Sequence, residues 1–298
     1  MALPSYASPV QKTYYYLYLF FCGVVFFFLV APLIAIVPIS FSVSPFMVFT
    51  DGMLAWPPDP EAWSLRWYKN MIGDCSADVV SSTVPCSNKW MIGTLNSFFI
   101  GIIATVIATS LGTLAALGLS RPHMPFKGII MAILISPMIV PLIITAAGMF
   151  FFYARINLVY TFTGVILAHV ALATPFVVIT VTATLVGFDM NMVKAAQSLG
   201  ARPVKTFFRV IMPLILPGII SGALFAFITS FDEVVIVMFM ASLDQLTIPK
   251  QMWAGIRQEI SPVILCMATC LVALSIFLLT TVELLRRRSE RLRGIKPR

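Results

Sequence analysis

Residues Phe188 to Pro217 read FDMNMVKAAQSLGARPVKTFFRVIMPLILP, a polar interruption between two long apolar runs. Asp189 is the kind of side chain that caps a helix N-terminus, so the spacing predicts a short helix over Met190–Leu199. Gly200 then suits the left-handed conformation that ends such a helix. Pro203 fits the first turn of the next one. Connections between neighbouring helices are usually only a few residues long, so a helix–glycine–helix insert needs a purpose. Ala195 and Ala196 give the short helix a smooth face suited to a cleft in another protein. Lys194, Arg202, Lys205 and Arg209 fringe that face with positive charge.

The surroundings of this insert are built for lipid. Of 298 residues, 59% are hydrophobic and 11% charged, and the mean hydropathy is +0.96. A soluble domain is nearer half apolar and a quarter charged. Hydrocarbon offers no hydrogen bonds, so only helices or closed barrels can cross it. The apolar runs here reach the roughly 20 residues that a helix needs, twice the length of a barrel strand. Six spans are expected: Leu17–Phe41, Ile92–Leu119, Gly128–Phe152, Phe162–Val186, Pro213–Met240 and Pro262–Leu285. The first is too long for the apolar core of a signal peptide and lacks a small-residue cleavage site, so it is expected to be retained.

Charge orients the spans. With both termini in the cytoplasm, 14 of the 20 basic residues lie inside: Lys12, Arg121 and Lys127, the four of the Phe188–Pro217 insert, and seven in the tail from Arg286 to Arg298. The positive-inside rule favours this arrangement. The formal net charge of +8 is therefore a topology signal and a contact for anionic membrane lipid rather than a nucleic-acid-binding surface. The layout is an N-terminal segment at 1–16, a membrane domain at 17–285 with an external loop at 42–91 and a cytoplasmic loop at 187–212, and a basic tail at 286–298.

Several features have two readings. The external loop carries Trp56, Trp63, Trp67, Tyr68 and Trp90, which either sit at the headgroup level or form a folded cap that meets an external partner. It also holds Cys75 and Cys86, in a compartment that permits disulfides, and a bond between them is expected. Cys22, Cys266 and Cys270 read as packing residues. Ala104, Ala108, Gly112 and Ala116 share one helical face, which serves packing within the chain or against another membrane subunit. Pro32, Pro38, Pro137, Pro141, Pro175, Pro213 and Pro217 punctuate the spans and predict kinks.

Little in the chain proposes catalysis. No G-x-x-x-x-G-K-[ST] loop occurs, so the chain lacks the cradle that ATP hydrolysis needs. There is no nucleophile–base pairing, no expected cofactor and no metal-ligand cluster, and the only histidines are His123 and His169. His169 reads as an interhelical hydrogen-bonding group. Asp232 and Glu233 stand out because an acid within a span costs roughly 2.5–3.5 kcal/mol on insertion scales. Read as helical, they point about 100° apart, so one could meet substrate while the other makes a structural hydrogen bond. Alternatively both sit in water at the end of the span.

Lys194-Ala195-Ala196, three residues, Gly200, nine residues and Val210-Ile211-Met212-Pro213 resemble the EAA loop of ABC importer permeases with six spans. The likeness extends from Thr94-Leu95-Asn96-Ser97 through Ser136-Pro137, His169 and Pro175-Phe176 to the sixth span. It implies an all-α type I importer permease fold in a bacterial inner membrane. It also implies a coupling helix that docks on the cytoplasmic ATPase through Lys194, Ala195, Ala196, Gly200, Ala201 and Pro213. The implied partners are two ATPase subunits, a sister permease and a periplasmic substrate-binding protein. The family's usual glutamate is Lys194 here, which reverses the charge at the head of the motif. Ser230-Phe231-Asp232-Glu233, Thr247-Ile248-Pro249 and Ser261-Pro262 resemble the polyamine branch, in its second permease. That likeness implies a pathway role for Phe231, Asp232 and Glu233, with Phe225, Phe227 and Phe239 as neighbouring aromatic candidates. Relatives of that branch carry other amines, amino acids, ferric iron or phosphonates. An ion-coupled secondary transporter would show internal repeats, and the two halves of this chain show no self-similarity.

Overall fold

The computed structural model describes residues 8–74, 88–121, 123–189, 191–258 and 261–292. Among them the only extended pairing is an isolated bridge between Ser42 and Trp63; everything else regular is helical. Ten helices matter to function: α1 (Pro9–Ile39), α2 (Lys89–Leu119), α3 (Lys127–Ile139), α4 (Leu142–Arg155), α5 (Phe162–Val186), α6 (Asn191–Ser198), α7 (Pro203–Phe231), α8 (Val235–Met240), α9 (Ile248–Gln258) and α10 (Val263–Leu292). Helices α1, α2, α5, α7 and the stretch Val263–Thr280 of α10 are long and apolar enough to cross a membrane, and the pair α3–α4 makes a sixth crossing if counted as one. The chain divides into two compact units, Lys89–Ala254 and the combination of Met1–Asn88 with Gly255–Arg298.

In the first unit α2, α5 and α7 pack together around α5. Apolar on all sides, α5 buries Val165, Ala168, Ala173, Val177, Val178 and Val181, as expected of a helix surrounded by neighbours. Lipid tails are as apolar as these side chains, so close approach rather than the hydrophobic effect holds the helices together. Small residues provide it. A Cβ on Gly112 would lie 2.7 Å from the Val177 Cβ, and one on Gly222 would lie 3.1 Å from the Val177 Cα. Ala104, Ala108, Gly112 and Ala116 are all buried within the chain, so this row serves internal packing. Three threonines of α5 are satisfied without partners on other helices: Thr174, Thr180 and Thr184 donate to the carbonyls of Val170, Phe176 and Thr180 at 2.7–2.9 Å.

Two expected spans are broken. The third, Gly128–Phe152, is two helices bent by 102°. Proline forces the residue before it out of helical geometry, and Val140, before Pro141, is extended at φ −69° and ψ 137°. Each half is about 20 Å long, short of the roughly 30 Å hydrocarbon core. The fifth, Pro213–Met240, begins earlier, at Pro203, and stops at Phe231. Within α7 the turn Phe207–Ile211 is a π-helix in which the Met212 N–H reaches the Phe207 carbonyl. Pro213 follows immediately; its ring crowds the carbonyl four residues back, and a wider turn relieves that crowding. Pro32, Pro38, Pro175 and Pro217 lie inside continuous helices.

In the other unit α1 starts at Pro9, eight residues before the expected Leu17. Ser8 forms a capping box with Gln11 that fixes this start. Residues 40–74, after α1, form a folded segment. Trp67 is fully buried and its indole donates to the Ser42 carbonyl at 2.9 Å. The Tyr68 hydroxyl pairs with Ser40 at 2.7 Å, and the Cys266 thiol donates to the Ser40 carbonyl at 3.3 Å. Trp67 is thus the core of a small cap, whereas Trp56 is exposed. Cys22, Cys266 and Cys270 are free thiols. The expected pair Cys75 and Cys86 lies outside the described residues.

Candidate coupling helix and acidic site

The candidate coupling segment forms a short helix, Asn191–Ser198, within a residue of the expected Met190–Leu199 at each end. Asp189 Oδ1 accepts from the Asn191 N–H at 2.9 Å, which caps α6. At the other end the Gly200 N–H donates to the Gln197 carbonyl at 2.9 Å and the Ala201 N–H to the Ala196 carbonyl at 3.0 Å. With Gly200 at φ +77°, these two bonds make a Schellman motif. Pro203 opens the next helix at its first position.

No residue of α6 is buried. Lys194, Ala195 and Gly200 are exposed, Ala196 and Ala201 are half-buried, and Pro213 is exposed on α7. Met192, Ala195, Ala196 and Leu199 recur at i, i+3, i+4 and i+7, the spacing of one apolar helical face. Leu199 is 88% exposed. A helix of eight residues is too short to be stable alone, and this one presents an apolar stripe that the described residues leave largely uncovered. Met192 and Leu199 extend the face that Ala195 and Ala196 begin, a spacing of i, i+3, i+4 and i+7 present in the sequence.

The acids lie at the far end of α7, about 40 Å of helix away, and they are not on a helix. Asp232 is the C-terminal cap of α7, at φ −90° and ψ 0°, and Glu233 precedes the short helix α8. Their environments differ. Asp232 is exposed, and its carboxylate has no hydrogen-bond or ion-pair partner among the described residues. Glu233 is 8% exposed, and its Oε1 accepts from the Ile236 N–H at 2.9 Å. At the other end of α8 the Lys250 ammonium donates to the Ala241 carbonyl at 2.8 Å and the Val237 carbonyl at 3.4 Å. Burial lowers the Lys250 pKa. An anion at the N-terminus and a cation at the C-terminus both oppose the helix dipole, so Glu233 and Lys250 hold a six-residue helix that could not stand alone.

Helices α2 and α5 support this end. Asn96 Nδ2 donates to the carbonyls of Asp244 and Leu246 at 2.8 and 2.9 Å, and the Ile248 N–H donates to Ser97 Oγ at 2.9 Å. His169, 1% exposed, pairs through Nδ1 with Ser230 Oγ at 2.8 Å and so ties α5 to the last turn of α7. Phe231 packs on Phe98 and Phe227, with ring centroids 5.2 and 5.3 Å apart. Of the two acids, Glu233 makes a structural hydrogen bond. Asp232 stands where an acid is electrostatically disfavoured, at the negative end of a long helix and beside another carboxylate. Such a place suits a cation. No group of three His, Cys, Asp or Glu residues among those described could hold a metal ion.

A broken third span, a bare short helix before the fifth and a capped six-residue helix after it belong to the fold of a type I ABC importer permease. A bacterial ABC transporter described as importing the acidic polysaccharide alginate matches it with a TM-score of 0.73 at 14% identity, over 94% of this chain and 99% of that one. The chain belongs to the family of binding-protein-dependent transport system inner membrane components, whose pattern matches residues 108–291. Among its relatives, the spermidine/putrescine permease PotC of Haemophilus influenzae is 27% identical over 91% of this chain and 96% of its own length. The putrescine permease PotI of Escherichia coli is 30% identical over 82% of this chain and 81% of its own.

Proposed function

We propose that this chain is one of two permease subunits of an ATP-driven importer for polyamines of the spermidine and putrescine type. The names of its relatives support the substrate class, and one observation carries it: an exposed, unpartnered carboxylate, Asp232, at the negative end of α7 beside an aromatic cluster. Polycations need carboxylates and π-faces in place of lost water. Asp232 contacts the cargo, Phe231 offers it an aromatic face, and Glu233 positions Asp232 by anchoring α8.

The work comes from elsewhere. Two ATPase subunits hydrolyse ATP on the cytoplasmic side, and the Met192–Ala195–Ala196–Leu199 stripe of α6 seats in a groove of one of them. Lys194 stands at the rim of that groove, and Gly200, Ala201 and Pro213 fix how α6 joins α7. A sister permease completes the pathway and a periplasmic binding protein delivers the cargo. Both termini are cytoplasmic, which the distribution of basic residues favours.

The test is ATP-dependent uptake of labelled spermidine and putrescine by the complete importer in proteoliposomes. Asp232→Asn lowers uptake about tenfold or more, the worth of one charged hydrogen bond, with the complex still assembled. Undiminished uptake would return Asp232 to a structural role. Uptake unaffected by ATP depletion but driven by an ion gradient would replace the importer reading with a secondary transporter.

A further inference from the structure

The cap that follows α1 contains an open cavity of about 530 Å³ lined by Phe41, Trp63, Ser64, Leu65, Arg66 and Lys69. Its frame is fixed by backbone contacts. The Ser64 N–H donates to the Phe41 carbonyl at 2.7 Å, Ser42 bridges to Trp63, and the buried Trp67 anchors the floor through its bond to Ser42. Both charged residues among the described lining are basic. The Arg66 guanidinium lies 4.4 Å from the centroid of the Trp67 ring, which holds it in place by a cation–π contact. Its Nη1 reaches the Val43 carbonyl only at 3.5 Å, and its Nε is buried without a hydrogen-bond partner among the described residues. With Nε covered by protein, the guanidinium has its outer N–H groups to offer the cavity, and an oxyanion would accept from them.

The position of the cavity says which oxygen. Phe41 lies two residues past the end of α1, so the cavity opens where the hydrocarbon gives way to headgroups. Half of its lining is apolar, which suits a ligand with a polar and a greasy end. We infer that this cavity binds the phosphodiester of an anionic phospholipid. The planar fork of Arg66 matches phosphate oxygens bidentately, Lys69 adds positive charge, and Phe41, Trp63 and Leu65 meet the glycerol and the first acyl carbons. A zwitterionic lipid would bring an ammonium into a basic cavity and is disfavoured.

Native mass spectrometry of the delipidated importer with equal amounts of phosphatidylglycerol and phosphatidylethanolamine tests this. Phosphatidylglycerol adducts should predominate. Arg66→Gln should reduce them about tenfold, and Lys69→Gln, at an exposed position, about fivefold. Unchanged tryptophan emission reports that the Trp67 core is intact; if Arg66→Gln does not fold, Lys69→Gln carries the test. An excess of inorganic phosphate should not displace the lipid. Equal phosphatidylglycerol binding by both folded variants would overturn the assignment. So would displacement by free phosphate, which would make this a soluble-anion site. Loss of binding-protein association with lipid binding unchanged would make it a protein contact instead.

Discussion

Replacing Gly200 with alanine adds one methyl group just beyond the C-terminus of α6. No heavy atom lies within 4 Å of where its Cβ would sit, so the substitution meets no neighbour, and its whole effect comes from the backbone. Gly200 is at φ +77°, a conformation that costs an L-residue roughly 1–2 kcal/mol. Gly148, within α4, also has nothing within 4 Å of an added Cβ and carries no positive φ; alanine there gains up to about 1 kcal/mol of helix propensity. The two substitutions add the same atom to open space and differ in sign. Because α6 has eight residues and no buried side chain, a loss of this size shifts the capped conformer by about 5–30-fold. In the assembled importer, Gly200→Ala should therefore speed amide hydrogen exchange at residues 200 and 201, the donors of the Schellman bonds, by about that factor. ATP-driven uptake should fall while subunit assembly is kept. Gly148→Ala should leave both readouts unchanged. Unaltered exchange and uptake in Gly200→Ala, or equal losses in the two variants, would refute the reasoning.

Glu233→Ala leaves the Ile236 N–H unpaired and should lower stability by about 1–3 kcal/mol, read as thermal unfolding of the detergent-purified complex. Glu233→Gln keeps an acceptor oxygen and should lose far less, and equal losses would show that charge rather than the hydrogen bond matters. Ser97→Ala removes the acceptor for the Ile248 N–H and should cost a similar 1–3 kcal/mol; no change in stability would mean that the 244–248 segment is held by other contacts. Cys75 and Cys86 should resist thiol labelling until the protein is reduced, and free labelling of both in untreated protein would remove the proposed bond.

The coupling segment was the most legible part of the chain because its signals are local. Asp189, Gly200 and Pro203 each constrain the backbone within a turn of themselves, and the cap, the left-handed residue and the helix start follow. The apolar runs likewise announced the spans, since lipid imposes length and hydrophobicity on each helix separately. The breaks were not legible. Pro137 and Pro141 resemble Pro32, Pro38 and Pro217, yet the chain folds back at Val140–Pro141 and stays helical through the others; which proline kinks a helix depends on neighbours that hold its freed carbonyls. The stop at Phe231 was hidden for a similar reason. Ser230 to Met240 reads as a continued helix, and α8 exists because Glu233 and Lys250, 17 residues apart in sequence, cap its two ends. The difference in burial between the two acids is likewise something that periodicity on an uninterrupted helix could not supply. The row from Ala104 to Ala116 was ambiguous between internal and external packing until Val177 was found against Gly112.

The claim on which the rest depends is that the uncovered stripe of α6 is where a nucleotide-driven partner grips the pore. A photo-crosslinking amino acid at Leu199, in the assembled importer, measures it directly. The account predicts a crosslink to the ATPase subunit whose yield changes between nucleotide-free and ATP-bound states. A crosslink confined to lipid or to the external binding protein, with the same yield in every nucleotide state, would contradict it.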